Sequence, residues 1–145
     1  MGQGLPSRIA GVAAILCVLA GTSSSPQAEE SACPFAGQQP IVVVQLFLGQ
    51  SIKGRGSVTA SEWQSFLEQT VTPRLADGFT VYDAYGQWMD PQTHSIGREK
   101  TKVLVVAAPD DPVVRARIGE LMAIYRTRFK QKSVGIITSS GCGAF

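Results

Sequence analysis

The chain has 145 residues, of which 44% are hydrophobic, 17% charged and 8% aromatic, a composition that excludes disordered, collagen-like and polytopic membrane proteins and leaves one domain as the expectation. Thirteen Lys and Arg against eleven Asp and Glu give a net charge of +2, too small a surplus to advertise a nucleic-acid partner. Three cysteines and one histidine are too few for a four-ligand zinc site once Cys17 is discounted, so neither metal nor cofactor is expected.

Cys17 is discounted because of where it lies. Met1 to Arg8 carries a single positive charge, Ile9 to Ala20 is an apolar run, and Gly21-Thr22-Ser23-Ser24-Ser25 follows. That is the order of a secretory signal peptide, too short to span a bilayer stably. Cleavage after Ala20 fits Val18 and Ala20, whereas cleavage after Ala28 leaves the cleaner start Glu29-Glu30. We place the leader at residues 1–28, the lead at 29–40 and one domain at 41–145. A lipoprotein reading would acylate Cys17, but Leu16 stands where a small residue is wanted. Export to the periplasm or beyond leaves a chain of net charge +1, since Arg8 is lost and no acid precedes Glu29. It also leaves Cys33 and Cys142 as a pair in an oxidising compartment, which predicts a disulfide, with two reduced thiols as the alternative.

In the domain, Ile41 to Leu48 is β-branched and aromatic, bounded by Pro40 and Gly49, and reads as a strand. Gly49 to Ser57 reads as a loop whose glycines match neither a Walker loop nor a dinucleotide fingerprint. Thr59 and Glu62 form a capping box, and Trp63, Phe66, Leu67 and Val71 continue as one apolar helical stripe. Pro73 disfavours further helix, and Asp77-Gly78 is a turn. Phe79 to Met89 is a second strand and Lys100 to Ala108 a third. Asp111-Pro112 starts a second helix whose apolar set is Val114, Ile118, Leu121, Met122, Tyr125 and Phe129. Val134 to Thr138 is the last strand.

Strand, helix, strand, strand, helix, strand is the ferredoxin-like α+β order, an antiparallel sheet with both helices on one face. It puts the first and third strands in the centre, read here as mutually parallel, with the fourth antiparallel to the first and the second beside the third. Residues before Ile41 then approach those after Thr138, which brings Cys33 and Cys142 together.

The first strand is apolar on both sides. Val42, Val44, Leu46 and Leu48 can face the helices, yet Ile41, Val43 and Phe47 face away, with Gln45 among them. At about 25 cal/mol per Å2, leaving those three in water forfeits several kcal/mol. The economical cover is a second copy packed sheet to sheet, as in a dimeric α+β barrel. The alternatives are cover by the N-terminal segment around Phe35, or a central strand that merely tolerates apolar residues on both sides.

Glu62-Trp63 with Phe66-Leu67, Val71-Thr72-Pro73-Arg74, Asp77-Gly78, Gly86-Gln87-Trp88, Lys102-Val103-Leu104, Pro109-Asp110-Asp111-Pro112 and Tyr125 through Phe129 to Gln131-Ser133-Val134 resemble an uncharacterised family of small exported bacterial proteins, domain of unknown function 3574. The resemblance implies export and small size and carries no activity with it.

Candidate ligand-binding residues are Gln45 and Phe47 on the first strand, Tyr82, Asp83, Tyr85, Gln87 and Trp88 on the second, and His94, the lone histidine, in the following connection. Tyr and Trp combine stacking area with a polar tip, and a desolvated Asp83 can orient a ligand or act as a base. Alternation separates Tyr82 and Trp88 from Asp83, Tyr85 and Gln87 unless Gly86 marks a bulge. Arg74 is expected to pair with a carboxylate such as Asp77, and Arg126, Arg128, Lys130 and Lys132 to complement the helix dipole. No serine or cysteine nucleophile has a visible base. RNA binding is disfavoured, because the third strand offers no aromatic for stacking. Two functions are therefore expected in order: an exported non-enzymatic module that binds itself, a small ligand or an envelope protein, and second, a small cavity enzyme using Asp83, Tyr82, Tyr85 or His94 in oxygenase- or isomerase-like chemistry.

Overall fold

The computed structural model describes residues 33–145 together with Met1, Gly2 and Gly4; the expected signal peptide, Cys17 and residues 29–32 of the lead lie outside the described residues. The fold is organised by β1 (Gln39–Gly49), whose apolar run is long enough to be paired along both edges. On one side it meets β5 (Ile96–Ala108) and on the other β6 (Gly135–Gly143), while β4 (Thr80–Met89) pairs with the far edge of β5. The order across the sheet is β4, β5, β1, β6.

Every neighbouring pair is antiparallel, including the central one: Val44 stands opposite Val106 and Leu46 opposite Leu104. The parallel arrangement read for the first and third strands is thus corrected. The helical crossover returns β4 in the direction of β1, and the hairpin then reverses the chain, so β5 has to run against β1.

The other differences from the sequence reading are local. β5 begins at Ile96 and β6 continues to Gly143, past their expected bounds. Ser139, Ser140 and Gly141 have weak strand preference of their own, but Val43, Val42 and Ile41 lie opposite them and offer a ready ladder. The expected loop after β1 folds into a small hairpin of β2 (Ser51–Ile52) and β3 (Gly56–Ser57), with Gly54 and Gly56 in positive-φ backbone at the turn. Arg74 bonds to Glu120 rather than Asp77. Its guanidinium also donates to the Thr70 carbonyl, which points it back over the preceding turn and towards the second helix.

That helix, α2 (Pro112–Arg128), and α1 (Ala60–Phe66) cover one face of the sheet. Asp111 caps α2, and Thr59 and Glu62 close the reciprocal box at α1. After α1 the backbone widens into a π-type turn over Leu67–Val71, where the Thr72 N–H donates to the Leu67 carbonyl just before Pro73 ends the run. Val44, Leu46 and Leu48 of β1, with Leu104 and Val106 of β5, pack against Trp63, Phe66, Ile118, Leu121, Tyr125 and Phe129. Phe66 meets both Tyr125 and Phe129 edge to face, with the Phe66 and Tyr125 centroids 5.2 Å apart.

One polar lock ties this core to the end of β1. The Tyr125 hydroxyl donates to the Gly49 carbonyl at 2.8 Å and accepts from the Gln50 side-chain amide at 2.8 Å. Burial raises the Tyr125 phenol above its ordinary value, so it stays a neutral donor. Beyond the other end of β1, Cys33 and Cys142 are joined in a disulfide with Cα atoms 5.6 Å apart. The antiparallel pairing that sets Cys142 opposite Pro40 puts it within reach.

Two outcomes are expected. The disulfide closes a loop between residues 109 apart in sequence, so Cys33→Ser, Cys142→Ser and the double variant each lose a similar ~2–4 kcal/mol, read from urea unfolding under oxidising conditions. Glu62 is held at about 2, below its ordinary 4.5, first by hydrogen bonds from Arg55 and then by those from Thr59. A depressed carboxylate stabilises the fold above its unfolded value and ceases to do so as pH falls through the folded one. Glu62→Gln therefore lowers the thermal midpoint at neutral pH, and the gap from the wild type closes between pH 4.5 and about 2.

Candidate functional site

With both helices on one side, the opposite face of the sheet is open. Strand alternation puts Ile41, Val43, Gln45 and Phe47 of β1 on it, with Val103, Val105 and Ala107 of β5, Tyr82 and Trp88 of β4, and Ile137 of β6. Val103 lies opposite both Phe47 and Tyr82 in register and is 1% exposed. Ile41, Val43, Gln45 and Phe47 are half-buried, and Ile137 is 53% exposed. Phe35 is 71% exposed, so the segment around it does not supply the cover that the sequence left open.

The expected candidates separate by face. Gln45, Phe47, Tyr82 and Trp88 share the open face, where the Tyr82 hydroxyl donates to Gln45 Oε1 at 3.3 Å. Asp83, Tyr85 and Gln87 lie on the helix side of β4, and the register with β5 runs unbroken through Gly86 without a bulge. There Asp83 pairs with Lys102 while its side chain stays 82% exposed, and Gln87 accepts from Arg98. His94 sits in the β4–β5 turn with φ +54, its backbone N–H donating to the Asp90 carbonyl at 2.9 Å. The Asp90 carboxylate accepts from the Thr93 and Gln92 N–H groups, which holds its pKa down. His94 thus belongs to a self-satisfied turn and Asp83 to a solvated ion pair, and neither converges with the aromatics of the open face.

The open face ends in two depressions. One, of about 580 Å3, is bordered by Ile41, Val105, Ala107, Gly143 and Phe145. The other, of about 740 Å3, is bordered by Phe47, Trp88, Gly97, Glu99, Thr101 and the turn after α2. Glycines let side chains lie flat on the sheet here. A Cβ on Gly97 would sit 2.5 Å from the Trp88 ring, and one on Gly49 would sit 2.7 Å from the Glu99 carboxylate. The Ser51 N–H donates to Glu99 Oε1 at 2.8 Å, fixing that carboxylate across the neighbouring strand.

Glu99 was missed by sequence reasoning, and Lys130 and Lys132 were read only as complements to the helix dipole. The signal was present as alternation: Gly97, Glu99 and Thr101 share one side of β5, and Arg98, Lys100 and Lys102 the other. Starting the strand at Lys100 hid it. Arg126 and Arg128 do lie in the last turn of α2, but Arg128 also covers the Phe129 ring at 5.4 Å and donates to Ser65. Lys130 and Lys132 border the depression instead. No described helix is long and apolar enough to cross a membrane.

A disulfide-closed α+β domain with an antiparallel sheet, two helices on one face and an apolar second face is the class these features define. The chain belongs to a family of proteins of unknown function, DUF3574, whose profile matches residues 44–145. No curated protein is a significant sequence match. Among solved structures it is similar to a phage SAM lyase in complex with S-methyl-5'-thioadenosine, at TM-score 0.53 and 12% identity over 72% of this chain and 90% of that one. The apo state of a phage SAM lyase gives TM-score 0.52 and 14% identity over 68% and 79%. At such identity the likeness is one of fold alone.

The seat of Trp88 is directly testable. Gly97→Ala is expected to lift the indole from the strand, giving red-shifted emission and stronger acrylamide quenching with an unchanged far-UV spectrum, because Trp63, the other tryptophan, is buried in the helical core.

Proposed function

We propose that this chain is an exported, non-enzymatic module of ferredoxin-like topology that uses the open face of its sheet for recognition, and that the first surface it recognises is a second copy of itself. The observation that carries the reading is the contiguous apolar face of Ile41, Val43, Phe47, Val105 and Ile137, opposite the helices and left uncovered by Phe35. Burying such a face is favourable in proportion to its area, and two identical sheets related by a two-fold axis are self-complementary. The Tyr82 hydroxyl already donates to Gln45 Oε1, which leaves the Gln45 amide N–H groups to find acceptors across such an interface. The apolar run ahead of Ser23 and the Cys33–Cys142 bond support export, since disulfides persist in oxidising compartments. A small molecule or an envelope protein remains the second kind of partner for the same face.

A second reading, a small cavity enzyme, rests on the likeness of fold to phage SAM lyase and on the depression beside Trp88 and Glu99. Its earlier candidates weigh against it, because Asp83, Tyr85 and His94 do not meet Tyr82.

Sedimentation of the mature protein over a concentration series separates the readings. A dimer is expected for the wild type, and Ile137→Lys, which changes an exposed side chain, is expected to give a folded monomer. A wild type that stays monomeric at high concentration overturns the pairing. Release of S-methyl-5'-thioadenosine from SAM by the purified protein, followed by chromatography, would establish the second reading instead.

A further inference from the structure

The 740 Å3 depression is built by one chain at the margin of the open face and shares Phe47 with the surface proposed to pair, so binding and pairing are read by separate measurements. Its volume is in the range of small-molecule sites. We propose that it binds a planar heteroaromatic ring carrying an anionic group, for which a nucleoside monophosphate is the simplest ligand.

Three kinds of group stand together there. Trp88 lies against the backbone of Gly97 with one side of its indole and is still 50% exposed, so its other side is a stacking platform on a regular strand rather than on a loop. Glu99 has Oε1 engaged by the Ser51 N–H, and no described residue donates to Oε2. A half-buried carboxylate with one oxygen fixed and one open is an acceptor for the hydroxyls of a sugar. Lys53, Lys130 and Lys132 border the same space, and none has an ion-pair partner among the described residues. Glu99 is the single acid among the bordering residues, against these lysines and Arg98, and even with Asp90 near Lys132 the balance is positive, suited to an anion.

The walls are tied in place. Gln131 donates its side-chain amide to the Ser51 carbonyl at 2.7 Å and to the Phe129 carbonyl at 3.1 Å. The turn after α2 is thereby fastened to the β2 segment that also holds Glu99. Lys130 sits in that turn at φ +51, a left-handed conformation uncommon for a lysine. A mere helix-dipole role does not require the cations to continue past the helix end into the turn; an anion site does.

Isothermal titration of the mature protein with AMP, adenosine and inorganic phosphate tests the assignment. AMP is expected to bind more tightly than either of its halves and more weakly as salt rises. Trp88→Ala is expected to weaken AMP at least about fivefold, the lower end of what one stacked base contributes, and Trp88→Phe to recover part of it. The double variant Lys130→Ala with Lys132→Ala, which changes only exposed side chains, is expected to weaken AMP while leaving adenosine unchanged. Three results overturn the proposal: no AMP binding tighter than about 1 mM, phosphate bound as well as AMP, or folded Trp88 and lysine variants that bind AMP like the wild type. Sedimentation of the same samples reports on sheet pairing separately, so either idea can fail without the other.

Discussion

The structure depends on β1 being apolar on both faces while only one face receives helices. A central strand satisfies its backbone groups on both edges, through β5 and β6, and in doing so fixes which side chains point each way along its whole length. Val44, Leu46 and Leu48 go under the helices and are 5%, 1% and 1% exposed. Ile41, Val43 and Phe47 go the other way by the same alternation. A one-residue slip would exchange the two sets, yet both are greasy, so hydrophobicity alone does not choose the register. The choice falls to features at the strand's ends: the Tyr125 hydroxyl on the Gly49 carbonyl, Gln50 tucked beneath it, and the Cys33–Cys142 bond.

Those end features also explain the placement of the two depressions. Where β1 finishes, the chain enters the β2–β3 hairpin, and Ser51 faces Glu99 across the sheet. Where β1 begins, the disulfide and the final residues of the chain gather around Ile41. The middle of the open face is filled by Phe47, Val103, Tyr82 and Gln45, which cover one another. The depressions are what remains at the margins after a four-stranded sheet has filled its own centre.

Much of this was legible in the sequence because it was written in short-range patterns. The capping box at Thr59, the Asp111-Pro112 helix start, the aromatic stripes and the alternation of β1 each need only a few neighbouring residues to read. The disulfide followed from topology together with a count of cysteines. The direction of β5 against β1 was misread because it is a property of two successive connections, not of any local pattern. The end of β6 was missed because Ser139, Ser140 and Gly141 become strand through pairing with β1 rather than through preference. Glu99 was missed for a related reason: its significance comes from Gly49 and Ser51, distant in the chain and brought beneath it by the register.

Glycine is the feature linking fold to site. At Gly97 and Gly49 the missing Cβ lets Trp88 and Glu99 lie across neighbouring strands, and at Gly135 it admits the Phe47 side chain, whose Cβ lies 3.2 Å and nearest ring carbon 3.5 Å from where a Cβ would stand. Glycine in a strand costs backbone entropy and forgoes packing of its own. Three such positions, each beneath a large or charged side chain from the adjacent strand, flatten one end of the sheet without breaking its ladder. A face flattened in this way offers aromatic and carboxylate groups held flat and rigid, with the lysines of the α2–β6 turn above them. The centre of the sheet, lacking those glycines, offers only a smooth apolar surface. The same strand alternation therefore produces two different kinds of surface on one face, the first suited to a small polar ligand and the second to another sheet.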